Sequence, residues 1–418
     1  MAEILFIVGV LVAVFVGYNI GGSSTGVAFG PAVGSRIVRK VTAGVLFTLF
    51  AFIGAWTVGR NVIDTMSSEI VAASAFSLEA SVGVLFFTGL SLLISNLYGV
   101  PASTSMTAVG AIVGLGLATG TLDAALMFTI LSAWIVAPLI AIVIGAVIGR
   151  YLYPSLDARF AFGRLQEPLL NLNTDGAIPR PGLNENASRR DIVGSTLVLL
   201  IACYMGFSAG ASNAANAVAP LVGNEAVDAG PAILLAVGSI SLGGLTIARR
   251  TLDTVGNDIT DLPILAALIV STTGATIITV LSWFGIPASL AVSTTSCIIG
   301  LGWGRASRAR TLAEIAAPRA TNHEPTTVKT GALAAGPDTE SPETTASPTV
   351  GDLAKGKVPE PERQVPDGGV ASIGDEDPAE LSAESLFDSG ATVRIVVLWV
   401  LTPTLSVVGA FVLFSIIG

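Results

Sequence analysis

Ten stretches of this chain are apolar for about the length a helix needs to cross ~30 Å of hydrocarbon. They fall at about 3–20, 41–58, 79–97, 103–119, 122–148, 192–209, 229–247, 262–283, 289–304 and 393–417. Charged residues make up only 12% of the 418 positions, about half the share of a soluble domain. In lipid the backbone has to satisfy its own hydrogen bonds, so such runs become helices. The chain therefore reads as an all-α polytopic membrane protein whose constant partner is the lipid bilayer. The first run lacks a basic n-region and a small-residue cleavage site, so it reads as a span and not as a cleaved signal. The two cysteines, Cys203 and Cys297, both lie in apolar runs, which argues against a disulfide framework.

The runs are organised by an internal repeat. Residues 21–34 read GGSSTGVAFGPAVG and residues 210–223 read GASNAANAVAPLVG. At an offset of 189, Gly21, Ala28, Pro31, Val33 and Gly34 fall on Gly210, Ala217, Pro220, Val222 and Gly223. GRNVIDT (59–65) matches ARRTLDT (248–254), and VPASTSMTAVGAIVGLG (100–116) is similar to AVSTTSCIIGLGWG (291–304). That pairing sets Ser103 and Thr104 on Ser293 and Thr294. WIVAP (134–138) returns as WVLTP (399–403), but about 75 residues later than expected. The extra length matches residues 311–391, which hold 9 of the 21 prolines, 15 of the 30 acidic residues and 5 of the 21 basic ones. Such a segment cannot bury enough apolar surface to order itself, and we expect a disordered acidic cytoplasmic insertion. It also holds His323, the only histidine, so histidine chemistry in the membrane core is excluded.

The expected layout follows: a first membrane repeat over 1–148, a cytoplasmic linker loop over 149–190, the first part of a second repeat over 191–310, the insertion over 311–391 and a final span over 392–418. Five spans per repeat force the two copies into opposite orientations. Inverted repeats with discontinuous helices at mid-membrane are a mark of secondary transporters. Arg36, Arg39 and Lys40, the arginines of the central loop, Arg249 and Arg250, and Arg305, Arg308 and Arg310 all fall on one side of a ten-span chain. That side is expected to be cytoplasmic, with both termini outside and the chain in the cell membrane.

The repeated parts are the polar ones. If 21–34 and 210–223 are broken or re-entrant helices, they expose backbone N–H groups and a positive dipole end. Glycine lets that backbone approach a ligand closely, and neutral hydroxyls and amides add donors, so the result is an anion cradle. The candidate binding residues are Ser23, Ser24, Thr25 and Gly26 in one copy and Ser212, Asn213 and Asn216 in the other, with Ser103, Thr104 and Ser105 and then Ser293, Thr294 and Thr295 from the hairpin motifs. Isolated small residues usually serve helix packing alone, but four symmetric clusters point further.

GASNAANAVAP resembles the G-A-N-D-V-A-N-A-x-G-P signature of the inorganic phosphate transporter family. TVGNDITDL (254–262) resembles its T-V-G-x-x-I-T-x-L stretch, and the two hairpin motifs resemble its P-V-S-T-T-H motifs. The resemblance spans every membrane segment but not 311–391. It implies two inverted repeats that hold phosphate and a coupling cation, Na⁺ or H⁺, between them. The chain departs from the pattern at the signature Asn-Asp, which is Ser23-Ser24 in one copy and Ser212-Asn213 in the other, and at the S-T-T-H histidine, which is Met106 or Ser296. A neutral cradle suits sulfate, which carries no proton, at least as well as phosphate. The NIGGS stretch (19–23) is similar to a form found in sulfate-permease members of the family.

The sequence thus leads to a non-enzymatic permease for inorganic phosphate, cation-coupled and working by alternating access. Sulfate is the alternative substrate, and a passive anion channel is the rival from another class. No organic cofactor, resident metal or nucleic acid is implied. A homodimer is compatible with the sequence. A receptor signalling through 311–391 is disfavoured, because no folded cytoplasmic domain is legible there.

Overall fold

A computed structural model describes residues 2–35, 37–98, 103–160, 170–173, 180–183, 189–246, 264–316 and 389–417. The disorder expected over most of 311–391, the TVGNDITDL stretch and the ARRTLDT copy lie outside these residues. The chain divides into one unit of Met1–Ala309 with Pro378–Gly418 and a second of Arg310–Asp377, and the description below concerns the first.

Each of the ten apolar runs becomes a helix. They are α1 (Ala2–Gly34), α2 (Lys40–Trp56), α4 (Leu78–Leu97), α5 (Thr104–Thr119), α6 (Ala124–Val147), α8 (Arg189–Gly223), α9 (Ala229–Thr246), α10 (Ile264–Trp283), α11 (Leu290–Ala316) and α12 (Ser389–Ile417). Among the described residues seven helices are long and apolar enough to span a bilayer. The short α3 (Gly59–Asp64), with the π turn Thr65–Glu69, is bent 64° from α2 and forms a broken eighth. Helix α5 has 16 residues, roughly 24 Å at 1.5 Å per residue, short of a full crossing. This is a multi-pass membrane protein.

Two expectations need correction. The glycine-rich stretches 21–34 and 210–223 are not breaks, because α1 and α8 run through them without interruption as helices of 33 and 35 residues. Glycine weakens a helix in water, where the open chain can hydrogen-bond to solvent. In a membrane-spanning segment the backbone has no such alternative. The break falls instead between α2 and α3, and the incomplete crossing is α5. The described residues within 149–190 also hold regular structure where a loop was expected. Helix α6 continues through a π turn (Ile148–Leu152) into α7 (Tyr153–Phe160). Strands β1 (Leu170–Asn173) and β2 (Arg180–Leu183) pair antiparallel, Leu170 opposite Leu183, so the otherwise all-α chain carries one two-stranded ribbon.

What the glycines do is bring helices together. A Cβ on Gly21 of α1 would overlap the Ile240 carbonyl of α9, and one on Gly210 of α8 would overlap the Ala51 carbonyl of α2. Likewise Gly54 of α2 lies against the Phe207 carbonyl, and Gly243 of α9 against the Tyr18 carbonyl. Each contact maps onto its twin at the offset of 189 residues, so the two halves make equivalent contacts. Between apolar helices in lipid, such close packing of small residues replaces the hydrophobic drive. Paired helices also run the same way: Gly17 lies beside Ser239 and Thr25 beside Gly244.

The last helix of each half packs on the fourth helix of one or other half. Gly110 and Gly114 of α5 meet the Pro403 and Val407 carbonyls of α12, while Gly300 and Gly304 of α11 meet the Ile142 and Ala146 carbonyls of α6. Only 22% of the span in α6 and 17% of that in α12 is buried, against 39–56% in the others. These two helices form the lipid-facing flanks, and α1 and α8 form the centre.

Asp123 caps α6, its Oδ1 accepting from Ala125 N and Leu126 N at 2.9 Å each. Asp123→Ala should cost about 1 kcal/mol, read as a lower melting temperature with oxyanion transport retained.

Candidate functional site

Where α1 and α8 meet, Asn213 Nδ2 donates to Ser24 Oγ at 3.2 Å. The two residues are 189 positions apart, so each is the other's repeat equivalent in sequence. The first turn of α5 reaches the same point. Thr104 Oγ1 donates to Asn213 Oδ1 at 2.6 Å. Next to it, Ser105 Oγ and Ser212 Oγ donate to the Ala288 carbonyl at 3.0 and 2.6 Å. Asn216 Nδ2 donates to Ser105 Oγ and Asn213 Oδ1, both at 3.2 Å. This knot of neutral groups ties α5, α8 and the segment before α11 together beside a crevice.

The crevice has about 310 Å³ of empty space, part of it open, and is lined by Ser23, Ser24, Val27, Thr104, Asn213, Ser289, Leu290 and Ala291. Two helices begin at it. Ser103 stands at the N-cap of α5 and Ser289 precedes the first residue of α11, its Oγ accepting from Val292 N at 3.4 Å. The first amides of a helix have no carbonyl one turn back, and the helix dipole adds partial positive charge there. Two such ends together with four hydroxyls and a carboxamide favour an anion. No lining residue is charged. Among the described residues no three His, Cys, Asp or Glu side chains come together as a metal site.

The thirteen candidate residues therefore fall into three groups. Ser23, Ser24, Thr104 and Asn213 line the crevice, while Ser105, Ser212 and Asn216 hydrogen-bond in the knot behind it. The remaining six lie elsewhere. Thr25 and Ser103 are fully buried with hydroxyls that have no partner among the described residues, as does Asn216 Oδ1. Gly26 is buried in α1. Thr294 Oγ1 donates to the carbonyls of Leu290 and Ala291, and its methyl group lies where a Cβ on Gly274 would go. Ser293 is buried and Thr295 half-buried on the same helix.

Ser289, Leu290, Ala291 and Val27 were not singled out from the sequence. A signal for the first three exists: Pro287-Ala288-Ser289 repeats Pro101-Ala102-Ser103. The shared Pro-Ala-Ser marks the helix start in both halves, whereas the Ser-Thr match puts the second copy one turn too far along. Trp134 Nε1 fixes this start by donating to the Pro287 carbonyl at 2.7 Å.

Comparison with known proteins identifies relatives of the chain. The chain is 32% identical over 298 residues to the sulfate permease CysP of Bacillus subtilis, covering 71% of this chain and 77% of that one. It is 26% identical over 389 residues to a putative phosphate permease of Chlamydia pneumoniae, covering 73% and 91%. The fold is similar to that of a solved sodium-dependent phosphate transporter, with a TM-score of 0.65 at 17% identity over 99% of this chain and 98% of that one. Residues 20–318 match the phosphate transporter family, and the chain belongs to that family.

Proposed function

We propose that this protein is a secondary active permease for inorganic phosphate in the cell membrane, with both termini outside and Na⁺ or H⁺ as the coupling ion. The observation that carries an oxyanion substrate is the convergence of two helix N-termini and the Ser24–Asn213 pair on a crevice between equivalent helices. We read the halves as inverted repeats. The support is that α1 runs parallel to α9, the repeat equivalent of α2. Inverted halves can exchange conformations, which opens a central site first to one side and then to the other.

Sulfate is the second reading, and a specific observation favours it. A carboxylate could take the proton that phosphate still carries near neutral pH, and the crevice has none. A fully deprotonated dianion needs donors alone, and the similarity to the Bacillus sulfate permease points the same way.

Purified protein in proteoliposomes should take up labelled phosphate or sulfate saturably, with stimulation by an imposed Na⁺ or pH gradient and competition by the other anion. Uptake of neither anion would reject the reading, and flux that fails to saturate would replace it with a channel.

A further inference from the structure

Three arginines gather at the C-terminal end of α6, in and beside its π turn. Arg150, in the π turn that extends α6, donates from Nη1 to Ser307 Oγ of α11 at 2.9 Å. Arg308 Nη1 donates in return to the Arg150 carbonyl at 3.4 Å. The guanidinium of Arg305 sits 4.5 Å from the ring centre of Tyr153. Gly149 packs on the Leu301 carbonyl and Gly304 on that of Ala146. Three guanidinium groups are thus held at one level of two closely packed helices.

Two observations at this level point to a ligand. Arg308 Nε is shielded from solvent and has no hydrogen-bond partner among the described residues. A buried guanidinium N–H with no acceptor among the described residues favours an oxyanion as partner. Apolar surface on the same two helices is left uncovered. Tyr151 is 64% exposed, Leu152 49% and Trp303 66%, and the Tyr151 ring centre lies 5.7 Å from the Arg150 guanidinium. Aromatic residues beside basic ones are typical of the depth at which lipid headgroups meet acyl chains, and basic pockets between spanning helices hold anionic headgroups.

We propose that Arg150, Arg305 and Arg308 form a headgroup site for an anionic phospholipid. The phosphodiester accepts from the Arg308 guanidinium, the other two guanidiniums supply positive charge, and the acyl chains lie along Tyr151, Leu152 and Trp303. A free inorganic oxyanion shares the headgroup's chemistry but has nothing to cover the apolar surface. The site is independent of the substrate chosen for the crevice.

The test is thermal unfolding of the full-length protein in nanodiscs of phosphatidylcholine alone or with phosphatidylglycerol, and with inorganic phosphate added to the former. Anionic lipid should raise the melting temperature by roughly 5–10 °C, as a ligand well above its Kd does. Arg308→Gln should lose most of that rise and Arg308→Lys part of it, while Asn213→Ala keeps it. Native mass spectrometry should find phosphatidylglycerol retained by the wild type and lost from Arg308→Gln. An equal response to both lipids, or a full rise in Arg308→Gln, overturns the proposal. So does a rise given by inorganic phosphate alone and not increased by lipid. Should Arg308→Gln not fold, Arg305→Gln takes its place with the same outcomes.

Discussion

Replacing Asn213 by alanine should lower oxyanion uptake roughly 30- to 150-fold, equivalent to about 2–3 kcal/mol. Asn213 is the one residue that touches its repeat equivalent, the first turn of α5 and the knot behind the crevice at once. Truncation leaves Thr104 and Ser24 without their partner. Size-exclusion chromatography should still show folded protein, since the close backbone contacts of α8 run through Gly210 and not through this side chain. Asn213→Asp is the sharper companion. It keeps the shape, exchanges a donor for an acceptor and adds a charge. Repulsion of a dianion across a few ångströms at an effective dielectric near 20 is worth several kcal/mol, whereas protonated phosphate can donate to the new carboxylate. Sulfate uptake should therefore fall at least tenfold more than phosphate uptake, as measured with both labelled anions in the same proteoliposomes. Equal losses would mean that residue 213 does not face the anion.

The second large effect concerns stability. Gly21→Ala and Gly210→Ala should each destabilise the protein by about 3 kcal/mol, the upper end for overpacked sites. In both cases the new methyl group meets a backbone carbonyl, Ile240 or Ala51, and a carbonyl cannot rotate aside as a side chain can. The helices have to separate, and the crevice between them loses its geometry. Gly238→Ala is the control, because a Cβ there meets nothing within 4 Å. It should be neutral or slightly stabilising, since alanine favours a helix over glycine. Melting curves of the three variants decide the matter. A loss at Gly21 without a comparable loss at Gly210 would break the equivalence of the two halves.

The positions of the ten helices were legible because spacing and apolar length report directly on the bilayer. What those helices do at their glycines was less so. Glycine, serine and proline at 21–34 and 210–223 suggested broken helices by rules learned in water, where an open backbone finds solvent. In the bilayer the same residues keep the helix and yield close contact, so sequence alone located the central segments and mistook their form. The crevice was partly legible for a related reason. Ser24, Thr104 and Asn213 stood out as polar residues in apolar surroundings. Leu290 and Ala291 contribute through their position at a helix start, which side-chain chemistry does not reveal. The register of Pro287-Ala288-Ser289 against Pro101-Ala102-Ser103 was the missed clue.

The Ser24–Asn213 pair has a further consequence. In an assembly of two identical five-span chains, a residue bonded to its equivalent would face its own copy and have to be its own partner. Joining the halves in one polypeptide removes that demand, and here the two sides have diverged: serine faces asparagine, and Asn216 is matched by Val27 at the equivalent position. A carrier that works by exchanging the roles of such unequal halves offers its cargo a different grip on each side of the membrane. Its half-saturation concentration should therefore differ between the two faces, although the overall equilibrium still follows the gradients alone.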